Sequence, residues 1–296
     1  MDINVQWVFT SMALLGLASG MIGTFALLKK QSLIGDAMAH AALPGICIAF
    51  LLYGQKSLLL FLIGAACSGY IATICIQFIV KHTRVKEDAA IGIVLSVFFG
   101  LGIVLLTWIN QHEGGNQSGI HDFLFGKAAS LTGSDVNVLT VTAVTVIIMI
   151  FIFFKEFKII TFDRAFAQGI GISVSLLNGV LMFLIVSVVV IGLQAVGVVL
   201  MSALLITPAL AARYWTEKLE WMTLLAGGFG ALSGVAGAYI SLIAYAPTGP
   251  LVIIFATVLF IFSFLFAPIR GLCSKMIRRH IERKKLQSQQ LKRLKT

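Results

Sequence analysis

Charge is what this sequence has least of. Only 11% of its 296 residues are Asp, Glu, Lys or Arg, against roughly 25% in a soluble globular domain. A chain so poor in charge, with 59% hydrophobic residues and a mean hydropathy of +1.00, has nothing with which to coat a separate soluble domain. It reads as an integral membrane protein. Cysteine is scarce as well. Cys47, Cys67, Cys75 and Cys273 form no CxxC pair, and three of them lie inside apolar runs, where they act as small apolar residues. A disulfide framework and a zinc ribbon are therefore not expected.

Recognisable enzyme motifs are also missing. There is no HExxH, no Rossmann fingerprint and no Ser/His/Asp constellation. The nearest approach to a phosphate loop, from Gly119 to Gly126-Lys127-Ala128, has six intervening residues instead of four, and Ala128 stands where Ser or Thr would hold magnesium. The chain is not expected to hydrolyse ATP or to be an enzyme.

What the sequence does have is apolar runs. Nine stretches are close to the 20 or so residues a helix needs to cross the bilayer: about 7–27, 35–53, 58–80, 89–109, 137–154, 174–192, 194–212, 222–245 and 250–268. The joint near Gly192 to Gly197 needs a very tight hairpin or a single broken element, and losing it would leave eight. Basic residues test this layout, because short cytoplasmic loops concentrate Lys and Arg. With nine crossings and the N-terminus outside, all but Lys56 and Lys127 of the 22 basic residues fall on the inner side. The net charge of +10 then reflects topology and not nucleic-acid binding. The expected organisation is a transmembrane domain over 1–270 and a basic cytoplasmic tail over 271–296. Glycines spaced four apart, Gly16 to Gly20 and Gly230 to Gly234, suit close helix packing in lipid.

Within the nine spans the ionisable inventory reduces to one pair, Asp36 and His40, in SLIGDAMAHAALPG at residues 32–45. Four residues apart on a helix, they share a face one turn apart. A carboxylate and an imidazole can ligate one first-row divalent metal, relay a proton, or simply pair with each other at a helix start near Lys29 and Lys30. Two ligands do not close a metal shell, so a partner subunit, backbone carbonyls or waters would have to supply the rest. Pro44 and Pro208 mark bend points.

That segment resembles the signature of the manganese/zinc/iron permease family, the transmembrane subunits of ATP-binding-cassette importers. Further matches follow in order: LFG at 124–126, FDRAFAQGIG at 162–171 and VGVVLMSALLITP at 196–208. The resemblance covers about residues 5–270. It implies an all-α polytopic permease of the type II importer fold in a bacterial cell membrane, with the C-terminus cytoplasmic. Its implied partners are a second permease subunit, identical or related, two cytoplasmic ATP-binding subunits, and an extracellular metal-binding lipoprotein or periplasmic binding protein. It also implies that Asp36 and His40 serve the metal path, with no permanently bound cofactor. The cargo would be Mn2+, which the thiolate-free donor set tolerates, with Zn2+ next and iron a further option. A secondary or proton-coupled transporter working without an ATPase is the rival expectation.

The stretch from Lys155 to Ser173 reads as the ATPase contact. Asp163 to Gln168 can form a short helix ended by Gly169 and Gly171, and the resemblance assigns coupling to Asp163, Phe166, Ala167, Gly169 and Gly171. The outer segment 110–134 carries His112, Glu113, His121 and Asp122. These could dock a binding protein or line a vestibule, or could belong to a plain polar loop.

Overall fold

The computed structural model describes residues 3–31, 33–53, 58–112 and 133–276, and every element of regular structure among them is helical. Long helices are the expected outcome, because only internally hydrogen-bonded backbone survives in hydrocarbon. The helices are α1 (Ile3–Leu28), α2 (Ile34–Tyr53), α3 (Leu58–His82), α4 (Glu87–His112) and α5 (Gly133–Ile152). Two short ones follow, α6 (Phe154–Phe162) and α7 (Arg164–Gly169). The chain then continues through α8 (Val174–Val196), α9 (Val198–Trp215), α10 (Leu219–Ala244) and α11 (Thr248–Phe266). Among the described residues, eight helices are long and apolar enough to cross a membrane. The remaining long helix, the 18-residue α9, packs within the bundle against α1, α10 and α11.

The doubtful joint near Gly192 resolves into two helices with a single residue between them. Gly197 has φ +95° and ψ 163°, a left-handed extended backbone open to glycine and closed to a side chain with a Cβ. The helices fold back beside each other, so that a Cβ on Gly192 would lie 2.2 Å from the Met201 sulfur. Contacts at the two ends of the bundle show the long helices alternating in direction. At one end, Lys29 meets Asn178, Gln31 meets Glu87, Lys158 meets Glu220 at 2.5 Å, and the Arg270 N–H donates to the Tyr214 carbonyl. At the other, Trp7 lies against Gly133, and Gly249 against Val196 and Leu200. The basic loop residues Lys29, Lys158, Lys218 and Arg270 therefore gather at one end.

The glycine spacings find each other across α1 and α10. A Cβ on Gly16 would sit 2.2 Å from the Gly230 carbonyl oxygen, one on Gly20 2.1 Å from that of Ala226, and one on Gly234 2.3 Å from that of Met12. In lipid no hydrophobic force drives helices together, so this backbone-to-backbone approach carries the association through dispersion.

Backbone hydrogen bonds turn the corner between α1 and α2. The Gln31 N–H reaches the Ala26 carbonyl and the Lys30 N–H that of Leu27, with Lys30 left-handed at φ 62°. This is a helix-ending motif that usually employs glycine at the position Lys30 holds.

Candidate functional site

Helix α2 is hydrophobic nearly all round, and the neighbours it packs on decide which face stays open. Gly45 abuts the Gly64 carbonyl of α3, where an added Cβ would lie 2.0 Å away, and the Ser68 hydroxyl donates to the Ala41 carbonyl. On other sides Gly35 approaches Leu205 of α9, and Leu43 approaches Gly102 of α4. Ala37, Met38, Ala39, Ala41 and Ala42 are consequently buried. Leu33, Asp36 and His40 at the start of α2, and Ile48 and Leu52 near its end, stay at least partly exposed, with residues 41–47 between them buried. The ionisable pair of α2 lies in the partly exposed face of its first two turns, which its own chain does not fully cover.

On that face, His40 Nε2 stands 3.5 Å from Asp36 Oδ1, with side chains 20% and 38% exposed. The imidazole is held edge-on by the Phe99 ring of α4 at 4.8 Å. Pro44 lies within the helix and has no N–H to offer the His40 carbonyl one turn earlier, so the helix ladder is open there. The pair is thus mutually directed, only partly desolvated, and close enough to grip one ion. Lys29 does not neutralise it: its ammonium donates to Asn178 instead. Burial, with Arg164 nearby and only partly offset by Glu87, pulls the Lys29 pKa down to about 8. Among the described residues no group of three or more His, Cys, Asp or Glu side chains converges, so one chain brings two such ligands to this place.

The loop read as the ATPase contact forms α6 and α7. Asp163 has extended backbone, and its carboxylate accepts the Phe166 N–H at 2.8 Å, capping α7. Gly171 is left-handed at φ 83° beyond the helix end. Of the five residues assigned to coupling, only Phe166 presents a large exposed apolar side chain. Ala167 is fully buried in the main core and seats the helix instead of meeting solvent. Phe162 and Ile170, four residues to either side of Phe166, are exposed as well. Their four-residue spacing was visible in the sequence, though in a chain this apolar it does not single them out. Asp163→Ala should loosen α7 by about 1 kcal/mol, the usual worth of such a cap, seen as faster amide hydrogen exchange at residues 164–169.

Glu113, His121 and Asp122 lie outside the described residues, as do LFG at 124–126 and the tail beyond residue 276. His112 ends α4, but its side chain is likewise undescribed.

The chain as a whole has counterparts in known proteins. The manganese transport system membrane protein MntC of Bacillus subtilis (strain 168) is 58% identical over 276 residues, covering 93% of this chain and 63% of that protein. The chain thus spans less than two thirds of that relative's length. The zinc transport system membrane protein TroC of Treponema pallidum (strain Nichols) is 43% identical over 281 residues, 94% of either chain. Among solved structures, PsaBC from Streptococcus pneumoniae in complex with Fab aligns with a TM-score of 0.80 at 32% identity, covering 91% of this chain and 94% of that one. A profile of the ABC 3 transport family matches residues 1–267, from α1 through the last long helix, and the chain belongs to that family.

Proposed function

We propose that this chain is the permease subunit of an ATP-driven importer of divalent metal, with manganese the favoured cargo, in a bacterial plasma membrane. The observation that carries the reading is the position of Asp36 and His40, side by side and partly exposed one turn apart on one face of α2. A second permease subunit placed against that face, identical or related, completes the site, and two copies of this chain would supply two carboxylates and two imidazoles. Such an oxygen and nitrogen set without thiolate suits Mn2+ and tolerates Zn2+. On this reading the exposed Phe162, Phe166 and Ile170 side chains are where the ATP-binding subunits dock, with the N-terminus outside and the C-terminus cytoplasmic. A metal-binding protein delivers the ion from outside, and residues His112 to Asp122 are its proposed contact. ATP hydrolysis belongs to the separate subunits, residues 1–270 form the permease, and 271–296 are a cytoplasmic tail.

Zinc is the second reading, favoured by the zinc system to which the 43%-identical relative belongs. Vesicles carrying the complete transporter, assayed for Mn2+ and Zn2+ accumulation with and without ATP, separate the possibilities. ATP-dependent uptake of Mn2+ that resists competition by equimolar Zn2+ is the expected result. Preference for Zn2+ would reassign the cargo, and uptake that ignores ATP would indicate a secondary transporter.

A further inference from the structure

Behind α2, a cavity of about 480 Å³ with both polar and apolar lining lies between α7 and the α1–α2 corner. Arg164 and Gln168 of α7 line it on one side and Gln31 of the corner on the other, with Lys81, Glu87 and Asn178 between. Close-packed surfaces pass displacements on by steric contact. Across the cavity itself that route is missing, so that beside the packed seat of Ala167 charge and hydrogen bonds form a second connection.

Glu87 holds the central place in that connection. It is the only carboxylate among the residues lining the cavity, and it opens α4, where the helix N-terminus favours negative charge. Its carboxylate accepts the Gln31 side-chain N–H. Gln31 is only 5% exposed and its side-chain amide oxygen is buried without a partner among the described residues, so Glu87 is what holds the Gln31 side chain, as Asn178 holds that of Lys29. From the other side, the Arg164 cation of α7 and the Glu87 anion act in opposite directions on Lys29, at the end of α1. Gln31 is three residues from the first residue of α2 and five from Asp36.

We propose that Glu87 is a positioning residue of the transport cycle, tying the Lys29–Gln31 corner and the start of α2 to the Arg164-bearing loop helix. Displacement of α7 then reaches the Asp36–His40 pair through this carboxylate. The proposal rests on the reading of α7 as the ATPase contact.

The test uses the complete transporter in liposomes, with ATP hydrolysis and Mn2+ uptake measured in the same preparation for the parent, Glu87→Gln and Glu87→Asp. In Glu87→Gln, hydrolysis should persist while uptake per ATP falls about tenfold, within the usual range of coupling between sites. Glu87→Asp, which keeps the charge, should retain more than about half of the parental ratio, on the same scale. A parental ratio in Glu87→Gln, or equal loss in the Gln and Asp variants, overturns the proposal. If Glu87→Gln does not assemble, Arg164→Gln, at an exposed position, takes its place: a lowered ratio supports the charge link and an unchanged one overturns it. Phe166→Ala tests the underlying reading separately. Undiminished co-purification of the ATP-binding subunits with that variant overturns α7 as their contact. Loss of co-purification there, combined with a parental ratio in Glu87→Gln, overturns the Glu87 link alone.

Discussion

Metal uptake by the complete transporter should fall by about 100-fold or more in both Asp36→Asn and His40→Ala, since even partners that merely orient a metal ligand are worth about 10–100-fold. Each substitution removes one of the two side-chain ligands that α2 contributes, and in a site built from two copies it removes two of four at once. Folding should be spared. The two side chains sit on the partly exposed face of α2, and their link is a single 3.5 Å contact one turn apart, of a kind worth a few tenths of a kcal/mol. Uptake of Mn2+ and Zn2+ is therefore to be compared at equal membrane levels of each variant. Uptake within about threefold of the parent, roughly 0.6 kcal/mol, would return the pair to a helix-surface ion pair and move the metal path elsewhere.

Gly16→Val should unfold the bundle where Asp36→Asn leaves it intact. The new Cβ would lie 2.2 Å from the Gly230 carbonyl oxygen and 2.9 Å from the Ala231 nitrogen. Both are backbone atoms of α10 and have no rotamer to give. Overpacking in a well-filled core costs about 1–3 kcal/mol, occasionally more, and here the clash repeats the contact on which α1 and α10 close. Gly228→Ala is the matched control, because a Cβ at that position meets nothing within 4 Å. Thermal unfolding in detergent, followed by monodispersity on size exclusion, should show Gly16→Val melting far below the parent and Gly228→Ala beside it. Equal melting of all three would show that the helices can separate without cost and that the glycine contact is not what joins them.

The α2 pair was legible because a carboxylate and an imidazole inside an apolar run are too costly to be incidental. The loop helix was legible from its ends, an Asp able to cap and glycines able to stop. It is displaced by one residue from the expected Asp163–Gln168 because Asp163 serves as the cap outside the helix. The surface around Phe166 was only partly legible. A soluble protein advertises an exposed Phe or Ile by its rarity, whereas here apolar residues cover lipid-facing and buried surfaces alike. Ala167, named with Phe166 in the same motif, faces the core one residue away. A pattern in sequence identifies the segment but not which of its side chains points out.

Composition and the spacing of apolar runs determined by themselves that this is a polytopic helical membrane protein, that basic residues gather in alternate loops, and that Asp36 and His40 share one helix face. These are local matters, set by transfer free energy and by 3.6 residues per turn. Only the tertiary structure decided which face of α2 is left partly exposed, which glycines of α1 meet which of α10, and that Glu87 reaches Gln31 from 56 residues away. An all-apolar helix has no polar face to orient it, and in lipid it is the shape of its neighbours, not aversion to water, that selects its buried side.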